Sequence, residues 1–234
     1  MATGLMRSLT SKFAHDDGKD WDKARDAAAK GDLQMLEAII KRNPEAVFCL
    51  DGKSKGMNAA HRAAASGQLE ALKLLHSKNR IVLQIKDEKR GWFAAHWAAQ
   101  EGQNDVVAWI GQVCAHSLSM PDSRGQTPWH LLLLHKAKQG DWRGIRAIAG
   151  LYPETLDAID YEFGAECSAA HLAAKHGHKR TLALLLNMKP EFVHCKDCMD
   201  RSVKDYAVEK GLGCVLSNFV SADDEVEQLP GLGI

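Results

Sequence analysis

The chain has 234 residues, enough for one ordinary domain or about two, and its 45% hydrophobic content suffices to bury a core. Lys plus Arg and Asp plus Glu number 30 each, so no global charge draws the chain to nucleic acid or to an anionic membrane. The sequence has no signal-like apolar run near its start and no apolar stretch of about 18 residues, so we expect no membrane span and six reduced cysteines in the cytoplasm.

The first predicted element is a short apolar stripe near the N-terminus. Leu5, Leu9 and Phe13 are spaced four residues apart, as on one face of a helix. Such a stripe can cover the open side of a first structural unit or touch a membrane, and we favour the covering role. We therefore assign residues 1–19 to a segment that is partly flexible or forms a capping helix.

Histidines then recur in four similar tetrads, of which Ala59-Ala60-His61-Arg62 is the first. Their spacings of 35, 34 and 41 residues indicate stacked supersecondary units rather than one globular core. The four histidines are His61, His96, His130 and His171. Because they occupy equivalent positions, we interpret them as scaffold residues rather than as parts of one active site.

Two further series share this period. Each aspartate of the first series follows alternating apolar residues, as where a short extended hairpin enters its turn. These are Asp51, Asp87, Asp122, Asp160 and Asp197. Each glycine of the second series ends an Ala-rich stretch and precedes apolar residues at helical spacing, which suits a left-handed helix end. These are Gly31, Gly67, Gly102, Gly140, Gly177 and Gly211. Each unit is therefore predicted to contain a hairpin finger, an inner helix, a tight turn and a longer outer helix.

These units resemble ankyrin repeats. The family pattern Asp-x-x-Gly-x-Thr-Pro-Leu-His is matched best by Asp122-Ser-Arg-Gly125-Gln-Thr127-Pro128-Trp129-His130. The resemblance implies an all-α ankyrin-repeat solenoid of about six helix-turn-helix units with short β-hairpin fingers and degenerate terminal capping repeats. We place the repeat domain at residues 20–222, with repeats at 20–50, 51–86, 87–121, 122–159, 160–196 and 197–222.

The repeats depart from the family pattern at several places. Extra residues precede His61, His96 and His171, so longer fingers are expected there. Gly140 follows His130 by ten positions, whereas Gly67 follows His61 by six, so the inner helix of repeat 122–159 should be longer. We expect a local widening or bend of the stack at that repeat.

The end repeats lack the histidine. Arg25 replaces it in the first repeat and Asp205 in the last, next to Ser202 at the threonine position. Both changes fit repeats that stack on one side only.

Other candidate chemistry is limited. Cys195 and Cys198 form a C-x-x-C pair, but no second such pair exists, so we predict no metal and no cofactor. Cys167 lies four residues before His171, which leaves a thiol-dependent hydrolase or transferase as the alternative to a binding protein. We predict that the chain is not an enzyme.

The resemblance implies binding of another protein through the finger tips and the concave face of the inner helices. Arg and Trp are enriched in such contacts. The formal charge is +2 over residues 51–62 and −4 over residues 157–166, which would fix the direction of a bound peptide. The candidate partner-binding residues are Lys53, Lys55, Arg62, Lys89, Arg90, Trp92, Trp97, Gln100, Glu101, Arg124, Tyr161, Glu162, Phe163, Lys175 and His176.

Residues 223–234 form an acidic and then apolar tail, which we predict to be disordered. Its composition also resembles export signals of bacterial type IV effectors, some of which carry ankyrin repeats. We therefore expect a monomeric protein-binding module that acts in the cytoplasm, or in a host cell cytoplasm if it is exported.

Overall fold

The computed structural model describes residues 19–48, 50, 56–161 and 166–217. The chain divides into two compact units, Met1–Pro128 and Trp129–Ile234. The predicted stripe of Leu5, Leu9 and Phe13 and the acidic tail at residues 223–234 lie outside the described residues.

The first compact unit consists of helix pairs joined by short 3₁₀ segments. Its inner helices α1, α3 and α5 pack in sequence, because alanines such as Ala63 and Ala98 are fully buried and let the helix backbones approach. The helices are α1 (Lys19–Lys30), α2 (Leu33–Arg42), α3 (Ala59–Ala65), α4 (Leu69–Lys78), α5 (Ala94–Gln100) and α6 (Asn104–Val113). The 3₁₀ segments are Pro44–Val47, Arg80–Gln84 and Ala115–Leu118.

The second compact unit has the same organisation, and its first helix begins at the boundary between the units. The inner helix α9 packs on α10 and α11, and the outer helix α10 packs on α8 and α12. The helices are α7 (Pro128–Gln139), α8 (Trp142–Leu151), α9 (Ala169–Lys175), α10 (Lys179–Met188), α11 (Val203–Glu209) and α12 (Gly213–Leu216). The 3₁₀ segments are Pro153–Asp157 and Pro190–His194. Strands β1 (Ile159–Asp160) and β2 (Cys167–Ser168) are antiparallel, with Ile159 opposite Ser168.

The turn glycines are confirmed at all six predicted positions. Their φ angles lie between +70° and +76°, the left-handed region in which a side chain is strained. This conformation lets each inner helix end and the outer helix begin within about two residues. The helix-turn-helix unit predicted from the glycine series is therefore confirmed.

One feature of the repeat differs from the prediction, and another agrees with it. The residues before each finger aspartate were predicted to be extended, but Leu83, Leu118 and Val193 lie in 3₁₀ segments that follow an outer helix. The buried apolar residues are adjacent there, as in Val82 and Leu83, because a tight helical turn places neighbours towards the core. Helix α7 has 12 residues where α3 has 7, which confirms the lengthened inner helix. The widening or bend of the stack stays a prediction.

Candidate partner-binding surface

The repeat histidines join the inner helices to the fingers. Nδ1 of His61 accepts the N–H of Asn58 at 3.0 Å, and Nε2 donates to the carbonyl of Ile85 at 2.9 Å. His96 repeats the arrangement, with the N–H of Phe93 at 3.2 Å from Nδ1 and the carbonyl of Gln126 at 3.2 Å from Nε2. Each imidazole therefore closes its own helix N-terminus. His61 also bonds the segment that leads into the next finger, and His96 bonds the finger of the following repeat. The scaffold role predicted for these two residues is confirmed.

Burial sets the protonation state of these histidines. Loss of hydration lowers the pKa of His61 to about 4 and that of His96 to about 4, against an ordinary value of 6.5. Both imidazoles are neutral at pH 7, with the proton on Nε2, because Nδ1 accepts a backbone N–H. A neutral and fully hydrogen-bonded imidazole suits a structural role.

The finger aspartates fix the finger backbone. Oδ1 of Asp87 accepts the N–H groups of Arg90 and Trp92 at 2.8 and 3.1 Å, and the backbone N–H of Asp87 donates to the carbonyl of Trp92 at 2.8 Å. Asp122 does the same over a shorter loop that closes on Gln126. The extra residue in the first of these fingers confirms the longer finger predicted for repeat 87–121.

The structure corrects the expectation that Trp92 and Trp97 are exposed binding residues. Their side chains are only 5% and 2% exposed. The two rings pack edge to face with centroids 4.8 Å apart. Nε1 of Trp97 donates to Oδ2 of Asp87 at 3.1 Å, and Nε1 of Trp92 donates to Oδ2 of Asp122 at 2.7 Å. Both tryptophans are thus packing residues that position the finger.

Arg90 lies on top of this buried aromatic pair and is exposed. Its guanidinium carbon is 4.5 Å from the ring centroid of Trp92 and 5.7 Å from that of Trp97, within range of a cation–π interaction. The backbone carbonyl of Arg90 accepts the N–H and the hydroxyl of Ser123 at 3.2 and 2.8 Å, which links it to the next finger. The positive charge of Arg90 therefore lies on a finger that is held by the aromatic pair below it and by Ser123 of the next finger.

The remaining predicted residues fall into three groups. In the first compact unit Arg62, Lys89, Glu101 and Arg124 are exposed and Gln100 is half-buried. In the second compact unit Lys175 and His176 are exposed and Tyr161 is half-buried. Lys53, Lys55, Glu162 and Phe163 lie outside the described residues. The predicted opposition of charge between residues 51–62 and 157–166 therefore stays a prediction.

A similar cluster, which was not predicted from the sequence, lies in the second compact unit. The Tyr206 hydroxyl donates to Oδ2 of Asp197 at 2.8 Å, and the guanidinium of Arg201 lies 3.9 Å from the tyrosine ring centroid. Burial and the hydrogen bond to Asp197 raise the pKa of Tyr206 to about 12. The signal was available, because Tyr206 follows Asp205, the residue at the histidine position, as Trp97 follows His96.

The Cys167 thiol is not activated by His171. Burial, followed by the charge of Asp197, raises the pKa of the Cys167 thiol to about 11, so the thiolate is scarce at neutral pH. Nδ1 of His171 is engaged by Ser168, whose hydroxyl lies 2.8 Å away. Across residues 19–48, 50, 56–161 and 166–217, no three His, Cys, Asp or Glu side chains are grouped so that they could hold a metal ion.

Comparisons with known proteins agree with this geometry. A family model described as ankyrin repeats in three copies matches residues 25–115. The chain is 27% identical over 166 residues to the probable E3 ubiquitin-protein ligase XBOS32 of Oryza sativa subsp. japonica, covering 69% of this chain and 31% of that protein. It is 28% identical over 129 residues to calmodulin-binding transcription activator 6 of Arabidopsis thaliana, covering 54% of this chain and 15% of that protein. The chain thus spans under a third of the length of either relative.

A solved structure shares the fold. It is a chain of the complex between the predatory endopeptidase Bd0816 of Bdellovibrio bacteriovorus and the immunity protein Bd3460. The TM-score is 0.61 at 20% identity, with 84% of this chain and 97% of that chain covered. In the part of this chain that the structure describes, no helix is both long and apolar enough to span a bilayer. The all-α repeat fold, the histidine and aspartate contacts and the family match at residues 25–115 together show that the chain contains ankyrin repeats.

Proposed function

We propose that the chain binds a partner protein through an exposed surface of its first compact unit. Ankyrin repeats indicate a protein–protein interaction module. We define the finger surface as the exposed or half-buried residues of the fingers and inner helices of this unit that were predicted from the sequence. They are Arg62, Lys89, Arg90, Gln100, Glu101 and Arg124.

The position of Arg90 is the observation that carries the proposal. A partner that contacts a fixed side chain loses less conformational freedom on binding than one that must order a mobile loop. The Arg90 backbone donates a hydrogen bond to Asp87 and accepts one from Ser123, and the Trp92 ring supports its guanidinium. Arginine at such a site is the kind of residue that contributes most to binding energy.

The charge of the finger surface favours an acidic segment of the partner. Arg62, Lys89, Arg90 and Arg124 carry four positive charges against one negative charge on Glu101, which leaves +3. Complementary charge raises the association rate and rejects wrong partners. A direct contact by Arg90 would also form a bidentate pair with a carboxylate.

The experiment compares two charge reversals in the full chain. The first variant, Arg62→Glu, Lys89→Glu and Arg90→Glu, alters the finger surface. Partners captured by the wild type are identified, and the purified partner is then titrated against wild type and variant. We expect the affinity to fall at least about tenfold, which corresponds to the loss of about 1.4 kcal/mol.

The matched control carries the same change of net charge at exposed positions on or beside the outer helices, Lys41→Glu, Lys78→Glu and Arg80→Glu. It should bind the partner as the wild type does. An equal loss of affinity in both variants, or no loss in either, would contradict binding at the finger surface.

Export into a host cell is a separate part of the proposal, and it is supported only by the composition of residues 223–234. The test is a translocation assay in the source organism with and without these residues. Export that continues after the deletion would exclude this tail as the signal.

A further inference from the structure

The turn between α9 and α10 carries a dense group of basic side chains in the second compact unit. Its sequence from residue 175 to 180 is Lys-His-Gly-His-Lys-Arg. The rings of His176 and His178 stack with centroids 6.1 Å apart, and Nε2 of His178 donates to the carbonyl of Lys138 at 2.8 Å. The turn is therefore held against the end of α7.

Neighbouring repeats add further positive charge at this place. Partial burial lowers the pKa of His176, and the positive charges of His178, Lys175, Lys138 and Lys210 lower it further. Lys138 belongs to the end of α7, and Lys210 follows the end of α11. Lysines at or just after the ends of three successive inner helices thus act on the pKa of His176.

Most of this charge is not neutralised within the described part of the chain. Lys138 pairs with Asp160 at 2.9 Å. In contrast, among the described residues no ion pair involves Lys175, Lys179 or Arg180 of the turn, or Lys210 after α11. We call these residues, together with His176, the basic turn cluster, which consists of Lys175, His176, Lys179, Arg180 and Lys210.

The uncompensated charge is also placed where it is electrostatically unfavourable. Lys179 and Arg180 occupy the first turn of α10, and that turn contains no acidic residue. A helix N-terminus carries partial positive charge, so cations there repel it. An anionic segment over the cluster would relieve both repulsions.

We propose that the chain's own acidic tail, residues 223–227, docks on the basic turn cluster. Four of these five residues are carboxylates, namely Asp223, Asp224, Glu225 and Glu227, and their four negative charges equal in number the four positive charges of the lysines and the arginine of the cluster. Electrostatic complementarity of this kind selects one surface among several.

The length of chain after α12 determines how far the tail can extend. Helix α12 begins three residues after Lys210 and packs on α10 and α11, and the described chain ends at Ser217. Six positions separate Ser217 from Asp223, and an extended segment of this length spans up to about 20 Å. This span sets the greatest distance from Ser217 at which the first carboxylate of the docked tail can lie.

The docked tail has a functional consequence. It covers the basic turn cluster, including Lys175 and His176, which were predicted to bind a partner. An acidic partner segment would have to displace the tail before it could bind there. This competition does not involve the finger surface, so the two proposals fail or succeed independently.

The test uses the full chain and a neutral-tail variant with Asp223→Asn, Asp224→Asn, Glu225→Gln and Glu227→Gln. The imidazole of His176 is titrated by NMR in both proteins. Carboxylates beside a histidine stabilise its protonated form. We therefore expect a lower pKa for His176 in the variant than in the wild type. The difference should shrink as ionic strength rises from about 0.05 M to about 0.5 M, because salt screens exposed charges.

A control variant neutralises the same number of exposed carboxylates that do not act on His176. It should leave the pKa of His176 at its wild-type value, and equal thermal unfolding midpoints would verify that all three chains are folded. The control substitutions are Glu37→Gln, Asp105→Asn, Glu154→Gln and Glu191→Gln.

Three results would overturn the proposal. The first is an equal pKa for His176 in the wild type and the neutral-tail variant. The second is an equal shift in the control variant, which would mean a general effect of net charge. The third is a difference that grows with protein concentration, which would place the tail on a second copy of the chain.

Discussion

Trp92 and Asp122 join the fingers of two successive repeats through their side chains. The indole N–H donates to the carboxylate across 2.7 Å, and Trp92 is buried. A short, charge-assisted hydrogen bond in a buried setting is among the stronger polar contacts in proteins. The finger that presents Arg90 therefore depends on the repeat that follows it.

Replacement of Trp92 by Phe should test this dependence. The variant keeps an aromatic ring under Arg90 but removes the donor to Asp122, so we expect the free energy of unfolding to fall by about 2 kcal/mol. Urea unfolding measures the change. Trp142→Phe is the control, because Trp142 is half-buried beside Arg143 and Arg146 and should cost less. Equal losses in the two variants would show that ring volume, not the hydrogen bond, matters.

Acidification should destabilise the chain through His61 and His96. Their pKa is about 4 in the folded chain and 6.5 when unfolded, so the unfolded chain binds more protons between these values. Stability is complete above pH 6.5 and declines as the pH falls towards 4, by up to about 3 kcal/mol for each histidine. Urea unfolding between pH 7 and about pH 4.5 measures this decline.

Two variants separate the buried histidines from the exposed ones. His61→Gln should show a shallower decline with pH than the wild type, whereas His116→Gln, at an exposed position, should follow the wild type. In NMR spectra the rings of His61 and His96 should remain neutral at about pH 5.5. Protonation of either ring at that pH would contradict the role of burial.

Gly67 should tolerate alanine poorly. Its φ is +71°, and a Cβ atom there would lie 2.5 Å from Oε1 of Gln103, whose amide donates to the carbonyl of Ala65 at 3.2 Å. Gly125→Ala is the matched control, with φ +80° and nothing within 4 Å of the added carbon. Both variants have the left-handed cost of about 1 kcal/mol, and Gly67→Ala should lose about 1 kcal/mol more with the displaced hydrogen bond. A Gln103→Ala background should remove this extra loss.

The thiol of Cys167 should be almost inert at neutral pH. With a pKa of about 11, roughly one molecule in 10,000 carries the thiolate at pH 7. A disulfide reagent should first modify the exposed Cys198 and Cys214, and Cys167 only on unfolding. The variant Cys167→Ala should therefore show the same amount of rapid modification by the reagent as the wild type. Rapid modification of Cys167 in the folded chain would instead revive the thiol-enzyme alternative.

The repeat itself could be predicted from the sequence because its signals are local. Glycines at φ near +70° and alanines at helix contacts are demanded by backbone geometry, which leaves few other choices. The lengthened α7 followed from a simple count of residues between His130 and Gly140.

The exposure of the aromatic residues could not be predicted in the same way. Trp92 and Trp97 were expected at the binding surface, because tryptophan is common both in interfaces and in cores. What decides between the two is the presence of acceptors for the indole nitrogens, and these are Asp87 and Asp122 from two different fingers. Asp87 and Trp97 are ten residues apart in the sequence, and only the folded finger shows that the carboxylate accepts the indole N–H.

The bond from His96 to the finger of the following repeat gives this part of the stack a direction. Removal of the repeat that follows His96 would leave the buried N–H of this histidine without its acceptor, and an unsatisfied buried donor costs free energy. Removal of the preceding repeat frees only a finger carbonyl, which water can reach. Truncation from the C-terminal side should thus be the more damaging. At the last described repeat, Asp205 closes its helix by accepting from Ser202 and has no N–H to place, so the series can stop there without an orphaned donor.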